Sequence, residues 1–203
     1  MPADSKLTAI AFACTGFALF AVMGALAKYL GDDFSTVQIL LFRSLFALLP
    51  LAVLIARTPL VEAFKVKRPG LLVFRSAMGL FAMALFFAAV TVLPLAEVVA
   101  LAFAAPIFST LLGSVFLGER VGPHRWGAVV VGLLGVLIMV RPGTDLFTPW
   151  SLLPLGSALF YSVGVICVRT LSRTEPANTI VLYFSLIVIA VSGVAAPFAW
   201  HAP

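Results

Sequence analysis

Seven stretches of consecutive apolar residues, joined by short polar connections, dominate this chain. A helix needs about 20 apolar residues to cross the hydrocarbon core of a bilayer, and these stretches match that length. A spanning segment must satisfy its backbone hydrogen bonds internally, which a helix does. The sequence therefore predicts an all-α integral membrane protein with seven transmembrane helices. They are expected at residues 7–29, 36–56, 70–93, 95–117, 125–141, 149–168 and 178–199.

The composition excludes several classes of protein. Of the 203 residues, 63% are hydrophobic and 10% are charged. In soluble domains, roughly a quarter of all residues are charged. The sequence has no GxxxxGK[ST] loop for ATP and no HExxH metal motif. Cys14 and Cys167 lie in apolar stretches, where a thiol is most often a small packing residue. We therefore predict no enzyme activity, no cofactor and no metal site.

The distribution of Lys and Arg predicts the orientation of the chain. Cytoplasmic loops of membrane proteins carry an excess of both residues. With the N-terminus inside, the cytoplasmic segments carry Lys6, Arg57, Lys65, Lys67, Arg68, Arg120, Arg125, Arg169 and Arg173. The opposite side carries only Lys28 and Arg141. The net charge of +5 is therefore explained by orientation, and a nucleic-acid partner is not expected.

An internal repeat divides the chain into two units. Gly16-Phe-Ala-Leu-Phe20 returns 140 positions later as Gly156-Ser-Ala-Leu-Phe160. The repeat restarts after five spans, so its second copy is expected to lie inverted in the bilayer. Secondary transporters often contain inverted repeats, with the substrate site near the midplane where the halves face each other. We predict a complete five-helix unit at 7–141 and an incomplete, inverted second unit at 149–203.

Several motifs between residues 94 and 143 resemble the drug/metabolite transporter superfamily, specifically the EamA-type transporters. These motifs are Pro94-Leu-Ala-Glu97, Ala104-Ala-Pro-Ile-Phe108, Leu117-Gly-Glu-Arg-Val121, Trp126-Gly127, Gly132, Gly135 and Arg141-Pro-Gly143. The resemblance implies two tandem five-helix units and secondary transport of small organic metabolites or drug-like solutes. It also implies a bacterial inner membrane. Alternating access through the inverted-repeat cavity is the expected mechanism.

The length departs from the pattern of the family, because the second unit has only two of its five helices. We expect this chain to be a fragment of a ten-helix protein. The alternative is a non-catalytic membrane scaffold or subunit that needs a partner chain to complete the second unit. The expected partners are the lipid bilayer and a small organic solute, and a homodimer is an open alternative.

Three ionisable residues are candidates for the substrate cavity, because charged groups inside membrane spans are costly and usually functional. Arg43 and Arg75 lie within spans two and three and could donate hydrogen bonds to an anionic or carboxylate-bearing solute. Alternatively, each side chain reaches toward its nearer membrane surface. Glu97 is a candidate for a counter-charge or a proton-coupling carboxylate, or simply an acid favoured at a helix start.

Polar residues and a proline complete the list of candidates. Those expected to line the cavity are Gln38, Ser76, Tyr161 and Thr15. Pro106 lies in the middle of span four, where it removes one backbone hydrogen bond and predicts a kink. The kink suits a cavity, but proline is also simply tolerated in membrane helices. Glu119, at the cytoplasmic end of span four, is interpreted as a structural ion-pair residue or a gate element.

Overall fold

The structure is a computed structural model that describes residues 3–31, 33–55, 64, 66–118, 121–140 and 148–200. Within these ranges the backbone forms eight α-helices and two short 3₁₀ helices, with no strand. The helices are α1 (Ala3–Leu30), α2 (Thr36–Ile55), α3 (Pro69–Val92), α4 (Leu95–Ala102), α5 (Ala105–Leu117), α6 (Pro123–Val140), α7 (Leu152–Leu171) and α8 (Ala177–Ala195). The 3₁₀ helices are Pro149–Ser151 and Ala196–Phe198.

The all-α membrane fold predicted from the sequence is confirmed. Among the described residues, six segments are long and apolar enough to cross a membrane: α1, α2, α3, α4 together with α5, α7 and α8. The fifth predicted span, α6, is a shorter apolar helix. The chain is therefore an all-α, multi-pass membrane protein.

The fourth span is broken into α4 and α5. The helix stops at Ala102 and resumes at Ala105, with Pro106 in the first turn of α5. Proline has no N–H to donate and its ring displaces the carbonyl four residues earlier. The first turn of α5 is instead closed by the amides of Ile107 and Phe108, which donate to the carbonyl of Ala104 at 3.0 and 3.2 Å.

The centre of the bundle lies where α3 meets α7 and α8. The most extensive contacts join α3 to α7 and α2 to α8, and further contacts join α3 to α8 and α5 to α7. The Ser157 hydroxyl of α7 donates to the Ala82 carbonyl of α3 at 2.8 Å. Helices α3 and α7 belong to different predicted units, so this contact lies between the two units.

A tight connection joins α3 to α4 at Leu93 and Pro94. The Lys28 ammonium of α1 donates to the carbonyls of Thr91 and Leu93, at 3.2 Å in each case. The last carbonyls of a helix lack partners within the helix, and a cation there also complements the helix dipole. Lys28 therefore stabilises the end of α3 and fixes α1 against it.

Candidate functional site

Arg75 lies on α3 at the junction with α7 and α8. Its guanidinium carbon is 4.4 Å from the centre of the Phe184 ring on α8. Nε and Nη1 of Arg75 are buried and have no hydrogen-bond partner among the described residues. Leaving a buried charged donor unpaired is costly. An anionic group that entered this junction would therefore find two donors that no described residue uses.

The neighbours of Arg75 include two further polar side chains of α7. Tyr161 and Cys167 both lie within electrostatic range of the guanidinium. Tyr161 is 57% exposed, whereas Cys167 is buried. Of the predicted cavity residues, Tyr161 and Arg75 thus interact electrostatically between α7 and α3. Ser76 is fully buried beside Arg75, but its hydroxyl donates to the Leu72 carbonyl at 2.8 Å.

Arg43 lies in a second polar position, between α1, α2 and α3. Its Nε donates to the Met23 sulfur at 3.0 Å, and its Nη1 donates to the Met83 sulfur at 2.8 Å. The Phe87 ring centre is 6.0 Å from the guanidinium carbon. A thioether sulfur is a weak acceptor, so these contacts hold the charge only loosely. Because Met23 belongs to α1 and Met83 to α3, the Arg43 side chain lies in the contact between these helices and α2.

Glu97 joins the two predicted units at the end of the bundle where α4 begins. Its Oε1 accepts a hydrogen bond from the Ser151 hydroxyl at 3.1 Å. Ser151 is buried in the 3₁₀ helix that precedes α7. The carboxylate lies in the first turn of α4, where the helix dipole favours negative charge.

Gln38 and Thr15 have local backbone partners. Gln38 is buried, and its side-chain Oε1 accepts a hydrogen bond from the backbone amide of Ser35 at 2.8 Å. The backbone amide of Gln38 in turn donates to the Ser35 hydroxyl at 3.4 Å. This reciprocal pair is a capping box at the start of α2. Thr15 is exposed, and its hydroxyl donates to the Ala11 carbonyl at 2.9 Å. The structure does not bring either residue to Arg75 through a described contact.

Pro106 lines a cavity of about 380 Å³ between the broken span four and α6. Phe103, Ile107, Gly132 and Val136 contribute to its walls, which are apolar. A Cβ atom at Gly132 would lie 2.8 Å from Ile107 Cδ1, so the end of the Ile107 side chain would have to shift to make room for it. The other gate candidate, Glu119, lies outside the described residues.

Glu175 is a functional candidate that sequence reasoning missed. It lies between α7 and α8 and is only 5% exposed. Its Oε1 accepts from the amides of Lys67 and Arg68, at 2.7 and 3.0 Å, immediately before α3 begins. The Tyr183 hydroxyl donates to the Phe64 carbonyl at 3.0 Å in the same region. An acid in a basic connection is the only signal in the sequence that could have indicated this role.

Comparison with known proteins gives a family and several relatives. The family model of EamA-like transporters matches residues 7–141. The chain is 33% identical to a riboflavin transporter of Vibrio cholerae over 54% of this chain and 37% of that protein. It is 32% identical to a pseudopaline exporter of Pseudomonas aeruginosa over 90% of this chain and 63% of that protein. An S-adenosylmethionine uptake transporter of Rickettsia prowazekii is 27% identical over 88% of this chain and 60% of that protein.

The match to these relatives is partial in length. The chain spans less than two thirds of each of the three proteins, and only 37% of the riboflavin transporter. No solved structure matches the chain.

Proposed function

The chain belongs to the EamA-like transporter family, and on that premise we propose that it moves a small organic solute across the membrane by alternating access. A solute gradient or proton coupling drives this movement, and ATP hydrolysis does not. The membrane is the bacterial inner membrane, and the N-terminus lies in the cytoplasm. Relatives named for riboflavin, pseudopaline and S-adenosylmethionine support a small organic solute.

The observation that carries this proposal is the pair of unpaired donors on Arg75. Arg75 lies six residues after Pro69, which corresponds to a depth of roughly 9 Å along the helix. It contacts α8 of the second predicted unit. A position inside the membrane between two repeats is where transporters of this type bind their substrates. Guanidinium pairs best with carboxylate or phosphate oxygens, so the solute carries an anionic group.

Two features of the fold support a conformational change. Span four is interrupted at Phe103 and Ala104, and broken helices in transporters commonly lie beside the substrate pathway. Contacts at both ends of the bundle join the predicted units: Glu97 with Ser151 at one end, and Glu175 with the start of α3 at the other. In alternating access, the contact at one end opens while the contact at the other end stays closed.

The experiment uses membrane vesicles from cells that produce the protein, prepared right-side-out and inverted. Labelled riboflavin, S-adenosylmethionine and benzoate are offered, where benzoate serves as a simple carboxylate probe with an apolar body. We expect ATP-independent movement of S-adenosylmethionine or benzoate, the two solutes that carry a carboxylate, loss of that movement in Arg75→Gln, and normal movement in Arg125→Gln. Riboflavin has neither carboxylate nor phosphate, so its movement should not depend on Arg75. Arg125 is an exposed residue in the first turn of α6, which makes it a matched control.

Equal transport by wild type and Arg75→Gln would exclude Arg75 as the binding group. If none of the solutes moves in either vesicle orientation, the transport proposal fails for these solutes.

A further inference from the structure

The aromatic ring of Phe184 is the described partner that the structure provides for the Arg75 guanidinium. A cation over an aromatic face is attracted by the ring quadrupole when it lies within about 6 Å of the ring centre. The observed distance of 4.4 Å is well inside that limit. This attraction does not consume the N–H groups as a carboxylate partner would, so Nε and Nη1 stay available.

Gly79 determines where this ring can lie. It follows Arg75 by four residues on α3, so both occupy the same face of the helix. A Cβ atom at Gly79 would lie 2.7 Å from Phe184 Cε2 and 3.4 Å from two further ring atoms. Because those atoms belong to a rigid ring, the ring as a whole would have to move. The absence of a side chain at Gly79 is therefore what lets Phe184 reach its place beside Arg75.

We infer that Phe184 is a positioning residue that holds the Arg75 guanidinium in the substrate junction, and that Gly79 provides the space this requires. The inference rests on the proposed function, in which Arg75 binds the anionic group of the solute. An acidic partner in the place of Phe184 would compete with an anionic solute for the same donors. An aliphatic partner would leave the guanidinium free to leave the junction. The ring therefore keeps the charge in place while its donors remain open.

The test measures how fast phenylglyoxal, a small arginine-specific reagent, modifies Arg75 in the chain reconstituted in lipid nanodiscs. Peptide mass spectrometry reports Arg75 and Arg43 separately. Phe184→Leu removes a desolvated cation–π contact, which should raise the rate of Arg75 modification by roughly 2- to 30-fold. Gly79→Ala should act in the same direction, and combining both changes should add little. Phe184→Tyr keeps the ring and should retain the wild-type rate.

Two controls separate positioning from a general loosening of the fold. The described contacts of Arg43 are with Met23, Met83 and Phe87, none of which is substituted, so its rate of modification should not change in any of these variants. Phe81→Leu removes another aromatic contact of α3, with Phe160 at 5.7 Å, and should leave Arg75 unchanged. An unchanged rate at Arg75 in Phe184→Leu overturns the inference, as does an equal rise at Arg43.

The same measurement with benzoate distinguishes this inference from the proposed function. Benzoate should slow the modification of Arg75 in wild type, and benzyl alcohol, its uncharged counterpart, should not. Because the rates without benzoate need no solute, they decide the role of Phe184 even if benzoate gives no protection. Absence of benzoate protection together with absence of anion transport would reject the proposed function alone.

Discussion

Removal of the Glu175 carboxylate should destabilise the contact between the α7–α8 connection and the start of α3. Its Oε1 accepts two backbone amides at 2.7 and 3.0 Å, and the residue is 5% exposed. A hydrogen bond to a charged group contributes about 1.5 to 3 kcal/mol, and two such bonds are lost. We therefore expect Glu175→Ala to lower the free energy of unfolding by about 3 kcal/mol. Glu175→Gln keeps an acceptor oxygen in place and should lose only about 1 kcal/mol.

The chain itself provides a reporter for this measurement. Cys167 is buried and Cys14 is exposed, and both are free thiols. In a Cys14→Ser background, a thiol-reactive fluorescent dye therefore reports unfolding through Cys167 alone. A loss of about 3 kcal/mol corresponds to a decrease in the unfolding temperature of roughly 6 to 12 °C for a chain of this size. Asp33→Asn, at an exposed acid, is the control and should change this temperature by no more than about 2 °C.

Two results would refute this reasoning. If Glu175→Ala unfolds within about 2 °C of the control, the two hydrogen bonds contribute nothing measurable. If Glu175→Gln is as unstable as Glu175→Ala, the loss comes from the charge and not from the acceptor oxygen that both amides share.

Three further predictions concern local features. Ser35→Ala should cost about 1 kcal/mol because it removes half of the capping box with Gln38, whereas Ser35→Thr should retain wild-type stability in the same dye assay. Ser157→Ala should cost about 1 kcal/mol by removing the buried hydrogen bond to Ala82, and an unchanged unfolding temperature would contradict this. Pro106→Ala gives α5 an additional amide donor, so we expect unchanged or higher stability with several-fold slower solute movement in vesicles. A less stable variant would show that the break in span four is not imposed by the proline.

The spans were predictable because hydropathy depends on composition and length, which are local properties. The predicted third span, 70–93, and the observed helix Pro69–Val92 agree within one residue, since Pro69 and Pro94 mark the two ends. The break near Pro106 was also foreseeable because a proline cannot donate a backbone hydrogen bond. The assignment of 7–141 and 149–203 as inverted units stays a prediction.

The candidate site was less predictable because each side chain finds its partner on a distant segment. Ser35 and Gln38 have the spacing of a capping box. We nevertheless interpreted Gln38 as a cavity residue, because it is a polar residue within a predicted span. Phe184 was one of many aromatic residues until the structure placed its ring over Arg75. For Glu175 the sequence offered only an acid in a basic connection, and its partners precede it by more than 100 residues.

The sequence by itself determined that this chain is a helical membrane protein, because long apolar runs cross a bilayer as helices that satisfy their own backbone hydrogen bonds. Its motifs between residues 94 and 143 also resemble the EamA-like family. The sequence also identified Arg75 as a costly charge within a span. Only the tertiary structure decided which polar groups are already paired. Ser76 donates within α3 and Gln38 pairs with Ser35 at the start of α2, while two donors of Arg75, beside Phe184, have no hydrogen-bond partner among the described residues. The physical reason is that pairing depends on distances between helices, and the order of residues along one helix does not specify those distances.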